Sequence, residues 1–116
     1  MKRLALLLLV LGIACKARES AIPGDPERGR QLIAQYGCNV CHTVPGVSGP
    51  QGSIGPALAG VASRPTISYG TVQNTPENLV KFIQSPASLN PSSNMPGLGM
   101  PPADAQDIAA YLRTVR

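Results

Sequence analysis

The sequence is poor in large aromatic side chains. It has no tryptophan, and aromatic residues make up only 3% of its 116 positions. A chain of this size needs bulky apolar groups to bury enough surface for a stable fold, so its own side chains predict a thin core. An additional buried apolar group would supply the missing mass. The four aromatic residues are Tyr36, Tyr69, Phe82 and Tyr111.

Metal ligands and runs of charge are also scarce. The only histidine is His42, and one of the three cysteines, Cys15, lies in a segment typical of protein export. A zinc site needs four ligands, which this set does not supply. A thioredoxin-like redox pair needs a βαβ pattern nearby, and the sequence has none. Although the net charge is +4, no basic run predicts nucleic-acid binding.

One short motif stands out against this background. Two residues separate Cys38 from Cys41 in the pattern C-x-x-C, and His42 follows directly. This spacing is typical of c-type haem attachment, in which each thiol adds to one haem vinyl group. The next side chain then lies beneath the iron, where an imidazole nitrogen binds it. The motif predicts one covalent haem c per chain. A buried porphyrin would add apolar volume to the core.

The amino terminus predicts export. Met1-Lys2-Arg3 precedes an uncharged apolar run from Leu4 to Ala14, too short to span a bilayer as a stable helix. We interpret residues 1–14 as a lipoprotein-type signal peptide, Cys15 as the lipidated first residue, and 15–24 as a tether. Gly12 departs from the usual lipoprotein pattern, so cleavage near Ala17 and an uncleaved anchor stay as alternatives. All three place residues 25–116 outside the cytoplasm.

Three helices are expected in the remaining chain, with no sheet and no internal repeat. The first begins after Asp25 as N-cap and ends at Gly37, and the second runs from Thr75 to before Ser85-Pro86. The last follows Pro101-Pro102. Residues 43–74 are rich in glycine and proline, which predicts a long loop around a cofactor. The expected buried faces are Gly29, Leu32, Ile33 and Tyr36; Leu79, Val80 and Ile83; and Ala105, Ile108, Ala109, Leu112 and Val115.

Together these features resemble the class I c-type cytochromes over nearly all of residues 25–116. The resemblance rests on the haem motif and on three further segments of the sequence. It implies an all-α cytochrome c-like fold, with three main helices and long loops wrapped around one haem. It also implies that the first and last helices cross at Gly29 and Tyr111. The three segments are Gly55-Pro56-Ala57-Leu58, Met95-Pro96-Gly97-Leu98-Gly99 and Asp107-Ile108-Ala109-Ala110-Tyr111-Leu112.

The same resemblance implies roles for individual residues. The Pro56 carbonyl is expected against the outer nitrogen of His42, and Arg64 and Tyr69 are expected near the haem propionates. Met95 is expected as the second iron ligand, because its loop is irregular and glycine-bearing. Met100 directly precedes Pro101-Pro102 and is the alternative ligand, or a core methionine.

A His and Met ligand pair leaves no vacant iron position, and this predicts a one-electron carrier rather than an enzyme. Its expected partners are membrane redox proteins, such as a quinol-oxidising complex or a terminal oxidase. The protein itself is expected to be a monomer on the periplasmic side of a bacterial membrane. A permanent haem subunit of a respiratory or dehydrogenase complex is the first alternative. An open-site haem sensor or peroxidase is the second.

Overall fold

The computed structural model describes residues 23–116, and the predicted signal peptide and most of the tether lie outside the described residues. Helices dominate this part of the chain, as the sequence predicts. In chain order the elements are α1 (Pro26–Tyr36), α2 (Cys38–Cys41), a 3-10 turn (Val61–Ser63), β1 (Thr66–Ile67), β2 (Val72–Gln73), α3 (Pro76–Gln84), α4 (Pro86–Leu89) and α5 (Pro102–Leu112).

Helix α1 begins and ends where the sequence predicts. The Asp25 carboxylate accepts hydrogen bonds from the backbone N–H groups of Glu27 and Arg28, at 3.0 and 3.2 Å. Such a side chain satisfies donors that the first turn of a helix leaves unpaired. At the other end, Gly37 has a φ of 72°, the left-handed conformation that a glycine adopts most easily. Gly37 thereby sends the chain directly into α2.

Helices α1 and α5 cross with almost no space between their backbones. A Cβ atom added at Gly29 would lie 1.9 Å from the Asp107 carbonyl oxygen, so only glycine fits there. The predicted role of Gly29 at the crossing is therefore confirmed. The atoms nearest to that Cβ belong to the backbone of Asp107 and Ile108, one turn before Tyr111. The place of Tyr111 at the crossing stays a prediction. Its hydroxyl donates to the Pro45 carbonyl at 2.5 Å and ties α5 to the loop after His42.

A polar cluster clamps the same crossing. Arg28 pairs with Asp104 at 2.8 Å and also with Asp107, while the Tyr36 hydroxyl donates to Asp104 at 2.7 Å. The Asp25 N–H donates to Asp107 at 2.7 Å. Hydrogen bonds from Tyr36 and Arg28 lower the pKa of Asp104, and the Asp25 N–H and Arg28 lower that of Asp107. Ionised carboxylates therefore hold α1 against α5.

Helix α3 also begins as predicted, because the Thr75 hydroxyl accepts from the Asn78 N–H at 3.1 Å. Its Leu79 and Ile83 side chains are buried, and the helix packs against α5. The core lies between α1, α3, α5 and the loops. Its most buried side chains include Ile33, Val44, Ala105, Ile108 and Ala109.

The loop between α2 and α3 contains more regular structure than the sequence predicts. The expected absence of a sheet is wrong, since Thr66 pairs with Gln73 and Ile67 with Val72 in a short antiparallel ladder. Strands of two residues leave no alternating pattern long enough to recognise in a sequence. The four-residue α4 was missed for the same reason. Within residues 23–116, no helix has both the length and the apolar character needed to cross a membrane.

Candidate functional site

The two cysteines of the motif lie on a single helical turn. Helix α2 places Cys38 and Cys41 three residues apart, so both thiols share one face. Neither cysteine is in a disulfide, and both line the same cavity. Burial raises the pKa of the Cys38 thiol. The turn therefore presents two unpaired sulfur atoms side by side to one bound group.

His42 is held in one orientation. Its Nδ1 lies 2.7 Å from the Pro56 carbonyl oxygen, the contact that the resemblance implies. A carbonyl only accepts, so Nδ1 carries the proton and donates it. In the neutral ring this leaves the lone pair on Nε2 for a metal. The arrangement depends on Gly55, where an added Cβ would lie 2.4 Å from the imidazole Cε1.

Two amide side chains that the sequence analysis overlooked hold the loop that carries Pro56. Asn39 is only 2% exposed, and its side chain donates to the carbonyls of Ser48 and Pro50 at 3.3 and 3.0 Å. Gln51 accepts from the Val44 N–H at 2.7 Å and donates to the Val47 carbonyl at 2.8 Å. These side chains satisfy backbone groups of residues 44–50, which belong to no helix or strand. These bonds span four to eleven residues of irregular loop, where no helix or turn motif predicts them.

A cavity of about 440 Å³ opens beside the motif. This volume lies within the ordinary range for small-molecule and cofactor sites. Most of its wall is apolar and comes from α1, α3, α5 and the central loop. The wall includes Ile33, Leu58, Val61, Ile67, Leu79, Phe82, Ile83, Ile108 and Leu112. A large apolar group attached to Cys38 and Cys41 would pack against this wall. It would supply the apolar volume that the few large side chains of the sequence do not provide.

The two candidate methionines occupy different environments. Met95 is partly buried and lines the cavity together with His42. Met100 is 4% exposed, belongs to the hydrophobic core and is not among the residues that line the cavity. Its burial matches the packing role that the sequence analysis gave as its alternative.

The remaining predicted site residues, Arg64 and Tyr69, also border the cavity. The Arg64 Nη2 donates to the carbonyls of Ala57 and Ala59 at 2.7 and 3.2 Å, which holds its guanidinium beside the Pro56 loop. Tyr69 is 90% exposed at the tip of the β1–β2 hairpin, with a φ of 54°. The structure thus brings all seven predicted site residues to one cavity: Cys38, Cys41, His42, Pro56, Arg64, Tyr69 and Met95.

Comparison with known proteins agrees with this geometry. A family model described as cytochrome c matches residues 26–116, which includes every described helix and the whole cavity. The chain belongs to the cytochrome c family. It therefore carries haem c, bound covalently through Cys38 and Cys41, and both cysteines line the cavity.

Individual cytochromes extend the comparison. Cytochrome c2 of Rhodopila globiformis is 35% identical over 109 residues, covering 84% of this chain and 99% of that protein. Cytochrome c-552 of Bradyrhizobium diazoefficiens is 31% identical over 110 residues, which covers 95% of this chain and 92% of that protein. The crystal structure of cytochrome c2 from Rhodobacter sphaeroides superposes with a TM-score of 0.60 at 26% identity, covering 80% of this chain and 97% of that one.

A larger protein also shares the domain. Cytochrome c oxidase subunit 2 of Alkalihalophilus pseudofirmus is 33% identical over 90 residues, which is 77% of this chain but only 25% of that protein. The matches to small cytochromes cover nearly their whole length. This chain is accordingly a cytochrome c2-like electron carrier, not an enzyme, and its partners are redox proteins.

Proposed function

We propose that this cytochrome carries single electrons between membrane redox proteins, such as a quinol-oxidising complex and a terminal oxidase, on the periplasmic side of a bacterial membrane. His42 and Met95 are its two iron ligands. The observation that carries this proposal is the cavity, which His42 and Met95 both line while Met100 lies in the core. When bound there, haem c supplies a reversible one-electron couple, and a thioether ligand raises its potential.

The residues around His42 prepare it for this role. The Pro56 carbonyl accepts the Nδ1 proton at 2.7 Å, which fixes the ring and makes Nε2 a stronger donor. Gly55 lets the backbone lie against the imidazole face. A ligand held in this way undergoes little rearrangement when the oxidation state changes, as an electron carrier requires.

Arg64 and Tyr69 are proposed to bind the acidic groups of the cofactor. A guanidinium has five N–H donors, and two backbone carbonyls use only part of this set in Arg64. The remaining donors suit a carboxylate, which arginine binds through parallel hydrogen bonds. Tyr69 also lines the cavity, and its hydroxyl can donate a further hydrogen bond.

Membrane attachment through Cys15 completes the proposal. It rests on the export pattern of residues 1–14 and on the cysteine that follows them. A tether of ten residues, 15–24, reaches roughly 33 Å when fully extended. A lipid at Cys15 would therefore keep the haem domain within reach of partners in the same membrane.

A second candidate function is that of a permanent subunit in a larger redox complex. It is favoured by the match to one quarter of a cytochrome c oxidase subunit 2. Mild detergent extraction followed by size exclusion separates the two proposals. A carrier elutes alone, whereas a permanent subunit elutes with its complex.

The ligand pair is tested with carbon monoxide and potentiometry. The reduced wild-type holoprotein should not bind carbon monoxide, and it should titrate as a single reversible one-electron couple. Ready binding without displacement of a strong ligand would contradict the His42 and Met95 pair and favour an open-site sensor or peroxidase.

A further inference from the structure

Two separate segments of the chain form parts of the cavity wall. The β1–β2 hairpin contributes residues 66–70, and a second segment contributes residues 93–96. We call residues 90–101, between α4 and α5, the Met95 loop. Among the described residues, the hydrogen bonds that join the hairpin to this loop all come from the side chain of Asn90. A single amide therefore connects the hairpin to the segment that carries the second proposed iron ligand.

Asn90 itself is held firmly at the end of α4. Its backbone N–H donates to the Pro86 carbonyl at 3.0 Å, and its own carbonyl accepts from the Ser93 N–H at 3.0 Å. The Pro86 side chain is fully buried, so the short helix is anchored in the protein interior. The Met95 loop thus begins from a fixed position.

The two ends of the Asn90 amide bind two different segments. Its Oδ1 accepts from the Ser92 N–H at 3.1 Å. A backbone N–H only donates, so this atom is the oxygen, and the amide nitrogen faces the hairpin. Nδ2 donates to the Ser68 Oγ at 2.8 Å and to the Thr71 Oγ1 at 3.4 Å. The side chain therefore bridges the Met95 loop and the hairpin.

The tip of the hairpin has a backbone conformation that needs such support. Ser68 and Tyr69 have φ angles of 52° and 54°, in the left-handed region that disfavours residues with a Cβ atom. The Ser68 carbonyl accepts from the Thr71 N–H at 3.2 Å and from the Thr71 hydroxyl at 2.6 Å. The hydroxyl proton is used there, which leaves its oxygen to accept from Asn90. The amide thereby stabilises a turn that its own backbone disfavours.

Hydrogen bonds continue from Asn90 to Met95. The Ser93 N–H donates to the Asn90 carbonyl, and the Ser93 Oγ accepts from the Met95 N–H at 3.2 Å. The segment after Met95 has little packing of this kind, since a Cβ atom added at Gly97 or Gly99 would meet no atom within 4 Å. The position of Met95 therefore depends on the hydrogen-bonded stretch that precedes it.

We propose that Asn90 is a positioning residue: by joining the hairpin to the Met95 loop, it holds the Met95 thioether in place and limits the rate at which another ligand displaces it. The inference rests on the His42 and Met95 ligand pair proposed above. Without the Asn90 amide, the Met95 loop loses its connection to the hairpin and opens more often. The ligand pair itself stays the same.

Displacement of Met95 by imidazole measures this opening. Imidazole is mixed with the oxidised full-length holoprotein in a stopped-flow instrument, and loss of the methionine–iron absorption is followed. Because the site must open first, the rate reaches a plateau at high imidazole concentration, and the plateau is the opening rate. Asn90→Ala should raise the plateau by about ten-fold, and Ser68→Ala, which loses one of the same hydrogen bonds, by about three- to five-fold.

A matched amide separates this role from a general loss of stability. Asn78 Nδ2 donates to the Gln73 carbonyl at 2.9 Å, so it also supports the hairpin but makes no hydrogen bond to the Met95 loop. Asn78→Ala should change the plateau by less than about two-fold. A variant that carries both Ser68→Ala and Asn90→Ala should open no faster than Asn90→Ala alone, because both changes remove the same bond.

Three results would overturn the proposal. These are a wild-type plateau in both Asn90→Ala and Ser68→Ala, an equal rise in Asn78→Ala, or fully additive effects in the double variant. If Asn90→Ala fails to mature, the comparison of Ser68→Ala with Asn78→Ala decides the question alone. Absence of the methionine–iron absorption in the wild type would instead refute the His42 and Met95 pair.

Discussion

Replacing Gly29 with alanine should destabilise the fold although alanine is the better helix former. The added Cβ would lie 1.9 Å from the Asp107 oxygen and 2.5 Å from its carbonyl carbon. Both atoms are backbone and cannot rotate aside, so α1 and α5 must separate by more than about 1 Å to restore ordinary contact. Separation also stretches the 2.7 Å bond from the Asp25 N–H to Asp107.

The expected change in the free energy of unfolding is the sum of opposing contributions. Overpacking costs about 1–3 kcal/mol, and weakening an interhelical hydrogen bond costs about 1 kcal/mol. The higher helix propensity of alanine offsets about 1 kcal/mol of this. The free energy of unfolding should therefore fall by about 2 kcal/mol, and the melting temperature by on the order of 10 °C.

Guanidinium unfolding of the oxidised holoprotein, followed by far-UV circular dichroism, measures this change. The midpoint should fall for Gly29→Ala while the slope stays the same. Gly97→Ala is the matched control, because its added Cβ meets no atom within 4 Å, and it should shift stability by less than about 0.5 kcal/mol. A Gly29→Ala midpoint equal to or above that of wild type would refute the crossing argument.

Three further predictions concern the clamp, the anchor and the haem. The free energy of unfolding should fall as the pH drops below about 5, because Asp104 and Asp107 have lowered pKa values and lose their stabilising charge on protonation. Asp104→Asn should make this dependence on pH shallower. An unchanged dependence would contradict the role of the polar cluster at the crossing. Cys15→Ser should release the holoprotein from membranes or leave it uncleaved, with haem retained, whereas soluble wild type would contradict lipidation. Acidified acetone should not extract the haem, and free extraction would contradict thioether attachment.

Local chemistry explains why much of this fold could be predicted from the sequence. Asp25, Gly37 and Thr75 act through neighbours within four residues, so their capping roles are visible in the sequence. The Cys38 and Cys41 spacing is equally local. The family resemblance added Pro56, whose carbonyl does lie 2.7 Å from His42, fourteen residues away.

The features that sequence reasoning missed depend on distant pairing. Arg28 meets Asp104 and Asp107 only because α1 crosses α5, about 80 residues along the chain. Asn39 and Gln51 bind carbonyls only four to eleven residues away, but they lie in an irregular loop that has no periodicity from which such bonds could be predicted. The contact of Gly29 with the Asp107 backbone has the same origin, since helix rotation is set by packing across the whole interface.

The central claim is that His42 and Met95 hold the iron, and the absorption of two methionine variants tests it most directly. Oxidised wild type should have the charge-transfer absorption of a methionine–iron bond. Met95→Ala should lose that absorption, acquire a lower reduction potential and bind carbon monoxide when reduced, because its cavity-lining thioether is gone. Met100→Ala should keep the absorption and lose only stability, as expected for a core side chain. The reverse outcome would make Met100 the ligand and contradict the account.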